Sequence, residues 1–350
     1  MKVFTDINKP LQKFLLIGFS LMGSLFQLSA QGLGNGCAEA GFGVDADNRS
    51  GISYFGSETS STTTTDDWFF GTNGNGIGVI DTIGGWKFRQ NLLDGENLVW
   101  MKEMGYTKNS VVNGYLLHDA AYARDYYGGS GTTDLTSYTQ ASKNGEDPAD
   151  WDIGPHNVLG KNDLIDGYGH LRRDGATGQY PLWMYLGFSR IANSGSSYFD
   201  AELYVQPSVY SPSTGFGSGG PDDGHTAWQF DADGNVITVG DLVVTCDFST
   251  VNAPVLGLRV WVSRYDFLNT NPVTFNFGND FDGDGNAAVF GYADVEIPLN
   301  TFFGCALGNN SFSPAPPWGT LNTGGDYSNS YESNQFVEIG LNLTVIGIDP

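Results

Sequence analysis

Two neighbouring segments of the sequence decide its fold: residues 182–188, which read LWMYLGF, and residues 198–205, which read YFDAELYV. Apolar side chains occupy every second position in both, namely Leu182, Met184, Leu186 and Phe188, then Phe199, Ala201, Leu203 and Val205. A period of two predicts β-strands that bury one face. The turn Asn193-Ser194-Gly195 between the segments predicts that the two strands form a hairpin.

The same alternation recurs later in the chain. The apolar positions are Leu256, Leu258, Val260 and Val262, then Val337, Ile339, Leu341 and Leu343. The turn Asp233-Gly234-Asn235 predicts a second hairpin. No segment of comparable length has the 3.6-residue period of a helix, so the predicted fold is all-β, an antiparallel β-sandwich of jelly-roll or concanavalin-like type with long loops.

The part of the chain before these strands is different in composition. Residues 31–150 are rich in Gly, Asn, Ser and Thr, which predicts long loops with few strands. Within them, residues 116–127 fit either a short helix or a strand. Since sandwiches reach 200 to 250 residues as one domain, we expect residues 31–350 to form one domain. A separate small N-terminal domain is the alternative.

The charge balance excludes one class of partner. The 350 residues include 39 Asp and Glu but only 16 Lys and Arg, which gives a formal net charge of -23. Binding to nucleic acid depends on basic residues that neutralise phosphates. We therefore expect no nucleic-acid partner.

The N terminus has the pattern of a secretory signal peptide. Lys2, Lys9 and Lys13 precede an apolar run over residues 14–26, and a small residue, Ala30, stands before the expected cleavage site. This run of 13 residues is shorter than the roughly 20 that span a membrane. The sequence predicts removal of residues 1–30, a secreted or cell-surface location and no membrane insertion.

The chain has three cysteines, so at least one stays unpaired in an exported protein. Cys246 alternates with Leu242, Val244 and Phe248, which favours a buried thiol. A disulfide between Cys37 and Cys305 is then the simplest pairing, although the sequence leaves the connectivity open.

The faces opposite the apolar stripes carry aromatic rings beside charged groups. The candidate ligand-binding residues are Trp183, Tyr185, Tyr198, Asp200, Glu202, Arg259 and Trp261, and the strand before them adds Asp166, Tyr168, His170 and Arg172. Rings stack on a pyranose while charged groups bind its hydroxyls, so this face is a candidate glycan site. The alternative is that the N-terminal loops cover the face and that Arg259 pairs with Glu202.

Two pairs of carboxylates are compatible with an enzymatic function. Asp200 and Glu202, and likewise Asp294 and Glu296, lie on one side of a predicted strand at about 6.5 to 7 Å along the backbone. Glycoside hydrolysis uses two carboxyl groups. Retaining hydrolases on such sandwiches show Glu-x-Asp-x-Glu, and here Tyr198 stands at its first position. No catalytic residue is therefore assigned.

An acidic loop is the sharpest local motif. Asp280, Asp282 and Asp284 alternate before Gly285, in the manner of the first half of an EF-hand loop, but position 12 is Gly291 instead of Glu. The loop is a candidate Ca²⁺ site without flanking helices, and an acidic turn is the alternative.

Several short motifs together resemble a known family. They are Leu117-His118-Asp119-Ala120, Lys143-Asn144-Gly145-Glu146-Asp147-Pro148, Lys161-Asn162-Asp163-Leu164-Ile165-Asp166, Arg172-Arg173-Asp174-Gly175, Gly224-His225-Thr226-Ala227-Trp228, Gly240-Asp241-Leu242 and Gly291-Tyr292-Ala293. Over residues 65–350 the chain resembles the N-terminal region of large secreted surface proteins of Bacteroidota, which often end in a type IX secretion sorting domain. The resemblance implies a cell-surface location and carries no established activity.

The resemblance also implies a different C terminus. The family's pattern continues after Leu341-Asn342-Leu343-Thr344 into a further Cys and a basic strand, whereas this sequence ends at Pro350. We therefore expect a chain truncated at its C terminus.

These observations lead to three functional hypotheses. The first is an exported, non-catalytic surface module for adhesion or glycan binding, with Ca²⁺ as candidate cofactor and a surface or extracellular glycan as partner. The second is a structural spacer that contacts neighbouring domains of a surface assembly. The third is a glycoside hydrolase.

Overall fold

The structure is a computed structural model, and it describes most of the chain. The described residues are 2–4, 36–51, 65–71, 76–94, 100–125, 127, 133–139, 143–207, 209–211, 215–247, 254–297 and 302–349. The predicted signal peptide lies outside this range, except for residues 2–4. No helix among the described residues is long and apolar enough to cross a membrane.

Strands dominate the described chain. In chain order they are β1 (Lys2–Phe4), β2 (Cys37–Glu39), β3 (Phe42–Val44), β4 (Trp100–Glu103), β5 (Ser110–Val112), β6 (Tyr115–Arg124), β7 (Thr133–Tyr138), β8 (Ile153–Asn157), β9 (Leu164–Arg173), β10 (Leu182–Arg190), β11 (Tyr198–Leu203), β12 (Val209–Ser211), β13 (Gly215–Gly217), β14 (Gln229–Phe230), β15 (Val236–Thr238), β16 (Leu242–Asp247), β17 (Val255–Ser263), β18 (Asn276–Asp282), β19 (Phe290–Glu296), β20 (Gly304–Gly308), β21 (Ser313–Pro314), β22 (Thr320–Leu321), β23 (Tyr327–Ser328), β24 (Ser330–Tyr331) and β25 (Phe336–Asn342). The helices are α1 (Trp86–Asp94), α2 (Arg264–Asn269) and α3 (Leu343–Ile346), with a 3₁₀ turn at Pro148–Asp150.

Two antiparallel sheets form the framework. Sheet A has the strand order β1-β11-β16-β17-β19-β18, and sheet B has the order β20-β25-β10-β9-β6-β4 with β5 added to β6. The neighbouring strands in both sheets run antiparallel. The predicted all-β, antiparallel sandwich is confirmed, while its jelly-roll type stays a prediction.

The inner faces of the two sheets carry the predicted apolar stripes. Sheet B contributes Met184, Leu186, Phe188, Val337, Ile339 and Leu341, and sheet A contributes Phe199, Ala201, Leu242, Val244, Leu256, Leu258 and Val260. All are buried in one cluster. Burying such a side chain stabilises the fold by about 1.5–3 kcal/mol. Period-two alternation therefore located the core correctly, except at Val205, which is 50% exposed and lies beyond the end of β11.

One predicted connection is wrong. The turn at Asn193-Ser194-Gly195 does not close a hairpin, because β10 pairs with β9 and β25 in sheet B whereas β11 pairs with β16 in sheet A. The chain crosses between sheets here, so both apolar stripes face the same core from opposite sides. The predicted turn at Asp233-Gly234-Asn235 does close a hairpin, between β14 and β15.

Of residues 116–127, left open between helix and strand, residues 116–124 belong to β6. The hairpin from β5 to β6 turns through Asn113-Gly114, both with positive φ (52° and 90°). Two positive φ angles are what a type I′ turn requires, and Asn-Gly is its preferred pair.

The loop-rich N-terminal part packs on the outer face of sheet B. Phe42, Val44, Trp68 and Phe69 form a second buried cluster with the outward side chains of that sheet. A disulfide joins Cys37 on β2 to Cys305 on β20, and Cys246 is a buried free thiol, which confirms the simplest pairing. We call residues 36–51 and 65–80, where described, the covering segment.

Candidate functional site

The structure divides the seven candidate ligand-binding residues between two surfaces. Trp183 and Tyr185 project from β10 on the outer face of sheet B, and the other five lie on β11 and β17 of sheet A. These strands belong to different sheets, so the seven side chains do not share one face. Their alternation was read correctly, but their assignment to a common sheet was not.

The covering segment buries the sheet B part of this set. Trp183 is 3% exposed and Tyr185 is fully buried. The Tyr185 ring lies 4.3 Å from that of Phe42, and its hydroxyl donates to the carbonyl oxygen of Glu39. Both rings therefore belong to a second core.

The sheet A part is covered as well. Trp261 is fully buried, its ring stacks on His225 at 4.0 Å, and its Nε1 donates to the carbonyl of Asp222 at 3.0 Å. Tyr198, at 56% exposure, is the member of the set that faces solvent most openly. The part of this face around Trp261 is thus a third buried layer, whereas Tyr198 lies outside it.

Glu202 is held by two donors in this layer. Its carboxylate pairs with Lys143 and accepts a hydrogen bond from the Tyr204 hydroxyl. The side chains of Lys143 and Glu202 are both 1% exposed. The predicted partner of Glu202, Arg259, lies elsewhere.

Arg259 lies against the acidic loop. Its guanidinium nitrogens are 3.3 Å from Asp280 Oδ2, 3.5 Å from Asp282 Oδ2 and 2.8 Å from Asp294 Oδ1. Asp284 follows β18 in an exposed turn. A positive charge already faces two of the three predicted Ca²⁺ ligands, and Ca²⁺ binding by this loop stays a prediction.

An apolar cleft opens between the sheets beside β11. Its volume is about 650 Å³, within the range of small-molecule sites. Its apolar lining includes Leu171, Leu182 and Met184 of sheet B, and Leu203 and Leu242 of sheet A. The polar residues Asp119, His170, Glu202, Tyr204 and Gln206 also line it.

A cluster of buried carboxylates lies where the covering segment meets sheet B. Asp45 and Asp47 follow β3, and Asp67 lies in a segment that forms isolated parallel β-bridges beside them. One carboxylate oxygen from each lies within 4.8 Å of the other two. Among the described residues this is the one trio of potential metal ligands with that spacing.

Each of these carboxylates is held by one oxygen only. Oδ1 of Asp45 accepts from the Asp47 amide at 3.4 Å, Oδ1 of Asp47 from the Arg49 amide at 2.6 Å, and Oδ1 of Asp67 from the Trp68 amide at 2.5 Å. All three Oδ2 atoms are buried without a hydrogen-bond partner. Such atoms are rare in folded proteins, and each calls for a physical explanation.

Glu338 on β25 of sheet B holds the covering segment by hydrogen bonds. Its Oε2 accepts from the amides of Asp45 (3.0 Å) and Ala46 (2.8 Å), and its Oε1 accepts from Trp68 Nε1 (2.6 Å). Since Glu338 lies on β25, the carboxylate of a central strand sets the positions of both parts of the covering segment.

The burial and proximity of these four carboxyl groups raise their pKa values. Burial raises the pKa of Asp45 to about 7. Burial and the neighbouring carboxylates also raise the pKa values of Asp47, Asp67 and Glu338 above their usual range. Four mutually repelling buried carboxylates lie together here, which favours either protons or a cation among them.

Sequence reasoning missed this cluster. Its signal was present as Asp45-Ala46-Asp47-Asn48 and Asp66-Asp67, two acidic pairs in a loop-rich stretch. Acidic pairs are common in so acidic a chain, and nothing in the sequence shows that these two meet Glu338, which is 270 residues after Trp68.

Comparisons with protein-family models, curated proteins and solved structures found no match to this chain.

Proposed function

We propose that the chain is a non-catalytic β-sandwich module of an exported surface protein, and that it serves there as a structural spacer. One observation carries the proposal: three of the four aromatic residues expected to bind a ligand, Trp183, Tyr185 and Trp261, are buried on the outer faces of the two sheets.

Burial of the rings argues against the lectin-like alternative. A pyranose must reach the face of a ring to stack on it. Trp183, Tyr185 and Trp261 are between 0% and 3% exposed, and a sugar could contact them only if the covering loops left the sheets. Adhesion through other surfaces of the module is compatible with the spacer role.

The contacts of the acidic groups argue against the hydrolase alternative. A glycoside hydrolase needs an acid and a second carboxylate that both reach the sugar. Asp200 is 6% and Glu202 is 2% exposed, and Glu202 is already engaged by Lys143 and Tyr204. This pair packs within the protein, which favours a non-catalytic role.

The variant Trp183→Ala tests the proposal, with Tyr198→Ala as the matched control from the same candidate set. Because Trp183 is a core residue here, we expect its truncation to lower the free energy of unfolding by about 3–5 kcal/mol. The exposed Tyr198 should change it by less than about 0.5 kcal/mol. Urea titration followed by tryptophan fluorescence measures both values.

A glycan-binding screen of the same proteins, with Ca²⁺ and with EDTA, separates the alternatives. The spacer proposal expects no glycan to bind in either buffer. It would be overturned if Trp183→Ala kept its stability and lost binding to a glycan that the unmodified protein retains.

A further inference from the structure

The three aspartates share one unusual feature. In Asp45, Asp47 and Asp67 the backbone amides engage Oδ1, and this leaves three Oδ2 atoms buried together without a donor. The chain thus supplies three buried aspartate oxygens without a hydrogen-bond partner.

We propose that Asp45, Asp47 and Asp67 bind one Ca²⁺ ion through their Oδ2 atoms, at the junction of the covering segment and sheet B. This site differs from the predicted loop at Asp280, Asp282 and Asp284, and it does not depend on what the module binds elsewhere.

The charge of the cluster supports a cation. Arg49 lies beside Asp47 and Asp67, but its Nη2 donates to the carbonyl of Ala315, and one guanidinium offsets only one of four carboxylates. Burying uncompensated charge costs several kcal/mol per ion. A divalent cation between the Oδ2 atoms removes most of this cost.

The donor set selects the kind of cation. All the available ligands are oxygens, which suit Ca²⁺ and Mg²⁺ better than zinc or copper. One carboxylate oxygen of each aspartate lies within 4.8 Å of those of the other two, a spacing compatible with a shared cation. Mg²⁺ is usually held by one or two carboxylates and keeps several waters, so three buried carboxylates favour Ca²⁺.

The surroundings preorganise such a site. Ala46 takes a positive φ of 65°, which turns the chain so that Asp45 and Asp47 face inward together. Glu338 accepts hydrogen bonds from the amides of Asp45 and Ala46 at this turn. Hydrogen bonds that orient ligands typically raise metal affinity 10- to 100-fold.

The test compares the purified protein with Asp47→Asn and Asp67→Asn, and uses Asp282→Asn as the control in the other acidic loop. Asparagine keeps the Oδ1 acceptor and replaces only the free oxygen, so the backbone hydrogen bonds remain. Elemental analysis after dialysis against CaCl₂ gives the stoichiometry. Thermal melts in CaCl₂ and in EDTA give the stabilisation.

We expect one Ca²⁺ per chain and a melting temperature about 5 °C higher in CaCl₂ at 100 times the dissociation constant. Asp47→Asn and Asp67→Asn should lose the ion and the shift, and Asp282→Asn should keep both. In EDTA, Asp67→Asn should melt no lower than the unmodified protein, because it replaces one of four crowded buried acids with a neutral amide.

Terbium luminescence gives a readout that does not depend on stability. Tb³⁺ occupies Ca²⁺ sites, and Trp68 is next to Asp67, so excitation of tryptophan should sensitise Tb³⁺ in the unmodified protein and not in Asp47→Asn. The proposal fails if the folded protein binds no Ca²⁺ and melts identically in both buffers. It also fails if Asp282→Asn, and not Asp47→Asn, abolishes binding.

Discussion

Asp166 offers a sharp test of the buried polar layer on sheet B. Its carboxylate is 1% exposed and accepts six hydrogen bonds, from Tyr122 Oη (2.6 Å), Arg124 Nε (2.9 Å), Arg124 Nη2 (2.6 Å), Ser189 Oγ (3.1 Å), Thr320 Oγ1 (2.7 Å) and Tyr331 Oη (2.7 Å). Its pair with Arg124, itself 3% exposed, is an ion pair shielded from water. Removing one charge of such a pair leaves the other buried without compensation.

We expect Asp166→Asn to lower the free energy of unfolding by about 3–5 kcal/mol, and Arg124→Met to cost about as much. In the double variant both charges are gone, so no buried charge is left without its partner. The double variant should therefore cost less than the sum of the single ones, by up to about 3 kcal/mol. Tyr331→Phe, which removes one neutral donor, should cost only about 0.5–1.5 kcal/mol.

Urea unfolding of the four variants, fitted with a common slope, measures these values. Strict additivity of the two charge substitutions would show that Asp166 and Arg124 do not interact. A cost of Asp166→Asn below about 1 kcal/mol would show that its carboxylate is hydrated in solution. Either result would refute the packed polar layer described above.

Two further predictions concern the covalent link and the pH dependence of stability. The disulfide between Cys37 and Cys305 closes a loop of 268 residues, for which the loop-entropy relation gives a stabilisation of about 5.6 kcal/mol. We therefore expect a reductant to lower the free energy of unfolding by as much as about 5 kcal/mol. An unchanged urea midpoint after reduction would contradict this. Burial, with the nearby charges of Asp134 and Asp125, raises the pKa of Asp163 to about 9, above its value in the unfolded chain. The contribution of the Asp163 carboxyl group to stability is therefore complete below about pH 4 and is lost as the pH rises through about 9. Asp163→Asn should therefore raise the melting temperature more at pH 8 than at pH 5, and an equal gain at both values would count against that assignment.

The sequence was sufficient to predict the core of the sandwich. Period-two alternation identified the inward residues of β10, β11, β17 and β25, because the apolar stripe of a strand is a local property. It could not assign β10 and β11 to different sheets, since two strands with the same stripe pack equally well as a hairpin or as opposite walls of one core. That choice depends on pairings far apart in the chain, such as Met184 with Leu341.

The exposure of the outer sheet faces was harder to predict from the sequence, because alternation shows that a face is polar without showing whether water reaches it. A strand buried on both faces is expected to read as a continuous apolar run. β9 and β25 instead carry Asp166, Arg172 and Glu338 at buried positions. The sequence therefore favoured a solvated face there, and with it a binding site.

The partners of these charges explain the pattern. Arg172 pairs with Asp66 at 2.6 Å, and Glu338 binds Trp68 and two amides of the covering segment. The polar residues of sheet B are thus the contacts that fix its covering layer, and that layer carries the complementary groups. Removing the covering segment would expose no ready-made glycan site, because Arg172 and Glu338 would each lose the group that compensates its charge or hydrogen bonds. Arg172, which the sequence placed on a candidate binding face, is in the fold one of the contacts that hold the covering segment on that face.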